Sequence, residues 1–151
     1  AAFTALGLMI SFDWNSSGQV LIQPSQALTP HDVIQVQLEA LQAPGSSPHG
    51  LAQMYAFASS KSREMTGSFQ GFATLIQNHL PVLIGHQSAH IGVLEESFRR
   101  VRFQIDVKSP SGDEATYEWV LEYLQGNTGT FYWLNTYIHP LFDLPESSIE
   151  I

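Results

Sequence analysis

The chain has 151 residues, 44% hydrophobic and 13% charged, which excludes a disordered chain and fits one domain with a core of its own. Six Lys and Arg against fourteen Asp and Glu give a net charge of −8, so nucleic acid finds no cationic footprint and anionic lipid is disfavoured. With no cysteine, disulfides, thiolate zinc sites, iron–sulfur clusters and a thiol nucleophile are excluded, and no apolar run reaches the ~18 residues of a membrane span.

Residues 1–28 read as an extended arm. Phe3, Leu6, Leu8, Ile10, Phe12 and Trp14 show no clear period, Asn15-Ser16-Ser17-Gly18 is a turn, and Val20-Leu21-Ile22 is a short apolar run stopped by Pro24. The arm lies on its own domain or docks on another protein. The start, Ala1-Ala2, fits either a cleaved targeting segment or a shortened sequence.

A first helix is expected from Thr29 as N-cap, Pro30 at N1 and Asp32 at N3. Its stripe is Val33, Val36, Leu38, Ala40 and Leu41, and Ala43-Pro44-Gly45-Ser46-Ser47 ends it. A second helix starts at Pro48 with Ser47 as cap and runs through Met54 to Ala58. Ser59 to Gly67 reads as a polar connection. Ser68 caps a third helix carrying Phe69, Phe72, Leu75 and Ile76, stopped before Pro81.

Beyond Pro81 the period becomes two. Val101, Phe103, Ile105 and Val107 alternate with Arg100, Arg102, Gln104, Asp106 and Lys108, the pattern of a half-buried strand. Ser109-Pro110-Ser111-Gly112-Asp113 turns the chain into a strand over 116–125, Gly126-Asn127-Thr128-Gly129 turns it again, and a last strand runs from Phe131 to Ile138. A further strand lies within 87–96. Helices followed by a meander predict an α+β fold: three helices packed on one face of a curved antiparallel sheet of about four strands. The domain spans 29–140, and 141–151 is an acidic tail with Asp143, Glu146 and Glu150.

The layout resembles the cystatin-like roll of the nuclear-transport-factor-2-like superfamily. Within it, the chain is similar to a family of uncharacterised domains from bacteria and photosynthetic eukaryotes. The matching residues are Val36-Gln37-Leu38-Glu39-Ala40-Leu41, Ala56-Phe57-Ala58-Ser59, Gly67, Phe72, Tyr117-Glu118-Trp119-Val120-Leu121, Gly129 and Trp133, within about 30–138. The resemblance implies a cone between sheet and helices, where enzymes of the superfamily place an acid, a base or a phenol. It also implies dimerisation through the outer sheet face in similar folds, and it brings no catalytic motif to this sequence.

The odd positions of the strands would line the cone. They supply Phe103, Tyr117, Trp119, Tyr123, Trp133 and Tyr137 as candidate pocket residues, with Asn135 among their neighbours and no carboxylate, His or Lys to act as a general base. The competing reading is that these rings fill the core. The even positions place Val120, Leu124, Tyr132, Leu134 and Ile138 on the outer face as a candidate interface, rimmed by Arg102, Glu118 and Glu122. Arg100 or Arg102 is expected to pair with Glu122 or Glu118.

His79, His86 and His90 are the remaining chemical candidates. His86 and His90 are spaced to share one face, with Glu95 or Glu96 as a third metal ligand, but no metal-binding motif is present. Nucleophile-elbow, dinucleotide and P-loop patterns are absent.

The expected function is a non-catalytic interaction or accessory module with no cofactor and no metal. It would dock on another protein or on itself through the outer sheet face and the arms. The resemblance to proteins of photosynthetic lineages points to a plastid or thylakoid assembly, with a bacterial soluble compartment as the alternative. A binder or enzyme using the cone for a small apolar ligand is the second reading.

Overall fold

The computed structural model describes residues 20–42 and 48–141. Within them, four helices precede four strands: α1 Pro30–Leu41, α2 Pro48–Ala56, α3 Ser60–Thr66, α4 Phe69–His79, β1 Ser88–Ser97, β2 Arg100–Lys108, β3 Glu114–Gln125 and β4 Phe131–Pro140. The strands form one open antiparallel meander in the order β1-β2-β3-β4. The α+β class and the division between helices and sheet agree with the sequence pattern. The tail 142–151, most of the arm (1–19) and the expected cap Ser47 lie outside the described residues.

Helix α1 starts as its sequence dictates. Thr29 Oγ1 accepts from the Asp32 N–H at 3.1 Å, and Asp32 Oδ2 accepts from the Thr29 N–H at 3.0 Å, which satisfies two of the donors a helix start leaves free. It buries Val33, Ile34, Gln37, Leu38 and Leu41, so Ile34 and Gln37 take the places expected for Val36 and Ala40. α2 lies close against α1: a Cβ on Gly50 would come within 2.8 Å of the Ala40 carbonyl oxygen.

Three helices were expected and there are four, because Ser59–Gly67 is not a plain connection. Ser59 caps α3, accepting from the Ser62 N–H at 3.2 Å. Arg63 donates to the Tyr55 carbonyl at 2.8 Å and lies 4.4 Å from the Tyr55 ring centre. Gly67, at φ 81, ends the helix in the left-handed region that favours glycine. A helix held by caps and an arginine anchor buries only Ser62, so it has no apolar period to read.

The core joins Val33, Ile34, Leu38, Leu41, Met54, Phe57, Phe72 and Ile76 to the inner face of the sheet: Phe103, Ile105, Tyr117, Trp119, Leu121 and Ile138. Asn135 is buried among them. Its Oδ1 accepts from Gln37 Nε2 at 3.0 Å and Trp119 Nε1 at 3.1 Å, and its Nδ2 donates to Gln37 Oε1 at 2.8 Å and the Met54 carbonyl at 3.2 Å. Its backbone N–H donates to the Phe57 carbonyl, and its carbonyl accepts from the Ser59 N–H. Replacing Asn135 by Leu strands the Trp119 N–H and the Gln37 Oε1, at roughly 1–3 kcal/mol for each buried group, while the Met54 carbonyl and the Gln37 Nε2 keep the Phe57 N–H and the Val33 carbonyl. Asn135→Leu is therefore expected to lower unfolding free energy by about 3–5 kcal/mol in urea titration, with the tryptophan emission of the folded state shifted.

Candidate functional site

Register decides which side chains the sheet presents on each face. Opposite β3, Trp119 pairs with Ile138 and Val120 with Tyr137, but Leu121 pairs with Asn135, so Thr136 is an extra residue in β4. The bulge reverses the alternation in the second half of the strand. Ile138, expected on the outer face, is fully buried in the core. Tyr137, expected in the cone, lies beside Val120 on the outer face, with its ring centre 4.8 Å from that of His139. A strict period of two cannot register a one-residue insertion.

The other expected pocket residues divide into two groups. Phe103, Tyr117 and Trp119 are buried members of the core and line no open pocket among the described residues. Burial pushes the Tyr117 hydroxyl up to about 12, so it remains a neutral phenol across the physiological range. Tyr123 and Trp133 lie nearer the rim. Tyr123 is half-buried between Phe131 and Trp133, with ring centres 5.6 and 5.3 Å away, and the Arg99 guanidinium stands 5.3 Å from the Phe131 ring centre. Arg99 also lies 5.5 Å from the ring of Phe98, which is 87% exposed. The sheet thus ends in a corner of aromatic rings and one arginine. The alternating pattern places Tyr123 and Trp133 on this face but gives no sign that they stay half-buried where Phe103 is fully buried.

On the outer face, Val120 and Leu134 are buried and only Leu124 and Tyr132 are partly open. Leu134 lies near Pro24, Ala58 and Arg63, and Val120 stands opposite Arg102. Arg102 bridges Glu118 and Glu95, the latter at 2.9 Å, while Glu118 also faces His139 Nε2 at 3.1 Å. Arg100 faces Glu122 at 3.6 Å, so both expected cross-strand pairings form. A groove of about 590 Å³ runs between α3 and this face, lined by Lys61, Met65, Arg100, Leu124 and Tyr137 among others. The described end of the arm lies on its own domain: Gln53 accepts from the Ile22 N–H at 2.8 Å and donates to the Ile22 carbonyl at 2.7 Å.

The histidines do not converge. His79 is exposed on α4, His90 lies on the outer face of β1 opposite Asp106, and Glu95 is engaged by Arg102. Among the described residues no three His, Asp or Glu side chains are grouped as a metal site. His86 is buried just before β1. Its Nδ1 donates to the Leu83 carbonyl at 2.8 Å, and its Nε2 is buried without a partner. No family model, curated protein or solved structure matches the chain.

Two outcomes follow from this placement. Leu134→Glu puts a carboxylate into buried packing and is expected to cost at least about 2 kcal/mol, read as a lower melting temperature. Desolvation holds the His86 imidazole below its ordinary value, so the unfolded chain takes up that proton first. The associated stability is present above about pH 6.5 and is lost as pH falls through the folded-state value. Urea titrations at pH 7.5 and below 6 should show this loss, and His86→Asn should flatten it.

Proposed function

We propose that this chain is a non-catalytic interaction module, an accessory to a larger assembly, and that its contact surface is the part of the sheet that its own chain covers only partly. The aromatic corner of Tyr123, Phe131 and Trp133 with Arg99 carries this reading. Tyrosine, tryptophan and arginine are the residues on which interface energy concentrates, because they bury large areas and keep a polar handle. The inner face of β2–β4 supports it from the other side: it holds no carboxylate, His or Lys, and its one buried phenol is raised to about 12. The outer face adds little, since Val120 and Leu134 are already buried.

The finer fold assignment, a cystatin-like roll, belongs to the same proposal and is supported by helices preceding a bulged meander. A plastid assembly is the setting that the sequence resemblance suggests. A second reading, binding of a small apolar molecule, finds its support in the groove beside α3. There Met65 and Leu124 offer apolar surface next to Lys61 and Arg100, and the volume of about 590 Å³ suits a small ligand.

The test is a photoreactive phenylalanine analogue at Phe131 of the full chain, with Ser111 in the turn between β2 and β3 as the control. Illumination in the producing cell is expected to give one adduct of fixed mass from position 131 that Arg99→Glu removes, and none from 111. No adduct from 131, or the same adducts from both positions, would overturn the proposal.

A further inference from the structure

We infer that two copies of this chain associate edge to edge through β1, pairing antiparallel about a two-fold axis at the centre of the strand. The inference rests on the interaction-module reading and names a partner: a second copy.

The two edges of the sheet differ. At the β4 edge the chain closes the ladder itself, with the Ser59 N–H on the Asn135 carbonyl at 3.1 Å and the Asn135 N–H on the Phe57 carbonyl at 2.8 Å; the strand also ends in Pro140. Among the described residues β1 pairs only with β2. Over its ten residues it carries neither proline nor lysine, and every residue except Ile91 and Gly92 is exposed. Proteins normally blunt an edge of this length with such residues, other charges, a bulge or a cover; Glu95, Glu96 and the bulge after Val93 do so in the second half of β1, whereas Ser88–Val93 carries none of these, and its free N–H and C=O groups can template another strand.

The strand is complementary to itself. An axis between Gly92 and Val93 sets Ser88 opposite the partner's Ser97, His90 opposite the partner's Glu95 and Ile91 opposite the partner's Leu94. The register shift between Val93 and Glu95 makes this workable. It places Glu95 and Ser97 on the same face as His90 and Ser88, since these four pair with Arg102, Arg100, Asp106 and Lys108. Each imidazole then meets a carboxylate, twice by symmetry.

A knob and a groove lie at opposite ends of this edge. Phe98, 87% exposed, follows β1 directly. At the other end a groove of about 340 Å³ separates α1 from β1, where Leu38, Ala89 and Ile91 offer apolar surface among polar residues that include Gln35, Glu39 and Gln42. The axis brings Phe98 abreast of the partner's Gln87, about 18 Å from the strand centre at roughly 3.3 Å per residue. Each ring is thereby delivered to the mouth of the other copy's groove. An interface of one ladder and two rings is small, so the expected dissociation constant is about micromolar.

Sedimentation of the full chain between about 1 and 500 μM, a range that brackets such a constant, reads the equilibrium. A reversible monomer–dimer transition is expected. His90→Glu should weaken it by about five- to tenfold for two symmetric charge contacts. Phe98→Ser should also weaken it. Position 90 is open to solvent, its side chain 80% exposed, but it stands opposite Asp106, so the thermal melt of each variant is read beside its sedimentation to separate association from folding. A monomer throughout the range, or a dimer indifferent to His90→Glu and Phe98→Ser, overturns the inference. If the monomer still gives its adduct from position 131, self-pairing fails and the interaction reading stands. If the dimer forms and position 131 gives none, the aromatic corner fails alone.

Discussion

The carboxamide of Asn135 is the constraint on which the rest of the structure depends. Its two hydrogen-bond donors and its acceptor oxygen reach α1 through Gln37, β3 through Trp119 and α2 through the Met54 carbonyl. Buried amides are costly unless every polar atom is matched, and here they are matched. Apolar packing tolerates sliding, whereas these bonds fix one arrangement of helices over sheet. The backbone of the same residue pairs with Phe57 and Ser59, which sets the path from α2 into α3 and closes the β4 edge. The bulge at Thr136 belongs to this arrangement: because of it, Asn135 and Ile138 both face the core although they are three residues apart.

Legibility in the sequence followed periodicity. The change from helical to alternating pattern near Pro81 was readable because apolar residues at fixed intervals report which face is buried. The cap of α1, the two hairpin turns and the pairing of Arg102 with Glu118 were readable for similarly local reasons. α3 was not, because its stability comes from Ser59 and from Arg63 on the α2 carbonyls, which leave no stripe. The exchange of Tyr137 and Ile138 between faces was also hidden, since a bulge is a property of the paired ladder and not of either strand alone. Asn135 did leave a signal: one amide in an otherwise apolar inward row. Gln37 within the α1 stripe was its counterpart, and only the fold joins them across 98 positions.

Of the expected site residues, the structure makes Phe103, Tyr117 and Trp119 core, leaves Tyr123 and Trp133 at the rim, and moves Tyr137 outside. The alternating pattern identifies a face but does not say how far along the strand the covering helices extend. Tyr123 and Trp133 are therefore indistinguishable from Phe103 in sequence, although their surroundings differ in exactly the property that matters for binding.

The outer face bears on why the proposed contacts are at the corner and the β1 edge. Glu95, Arg102, Glu118 and His139 form a chain of ionisable side chains across all four strands, one residue from each. Glu118 is only 7% exposed, and removing either of its partners would leave a buried carboxylate less well matched. A face closed in this way is held by its own residues, and opening it to a partner would mean desolvating these ionisable groups as well as the apolar side chains between them. The edge of β1 has no such cost. In the proposed pairing its backbone groups would exchange water for a ladder, and Phe98 and Val93, at 87% and 57% exposed, would gain burial in the same step. Contact therefore stabilises most where the protein has spent fewest of its own interactions.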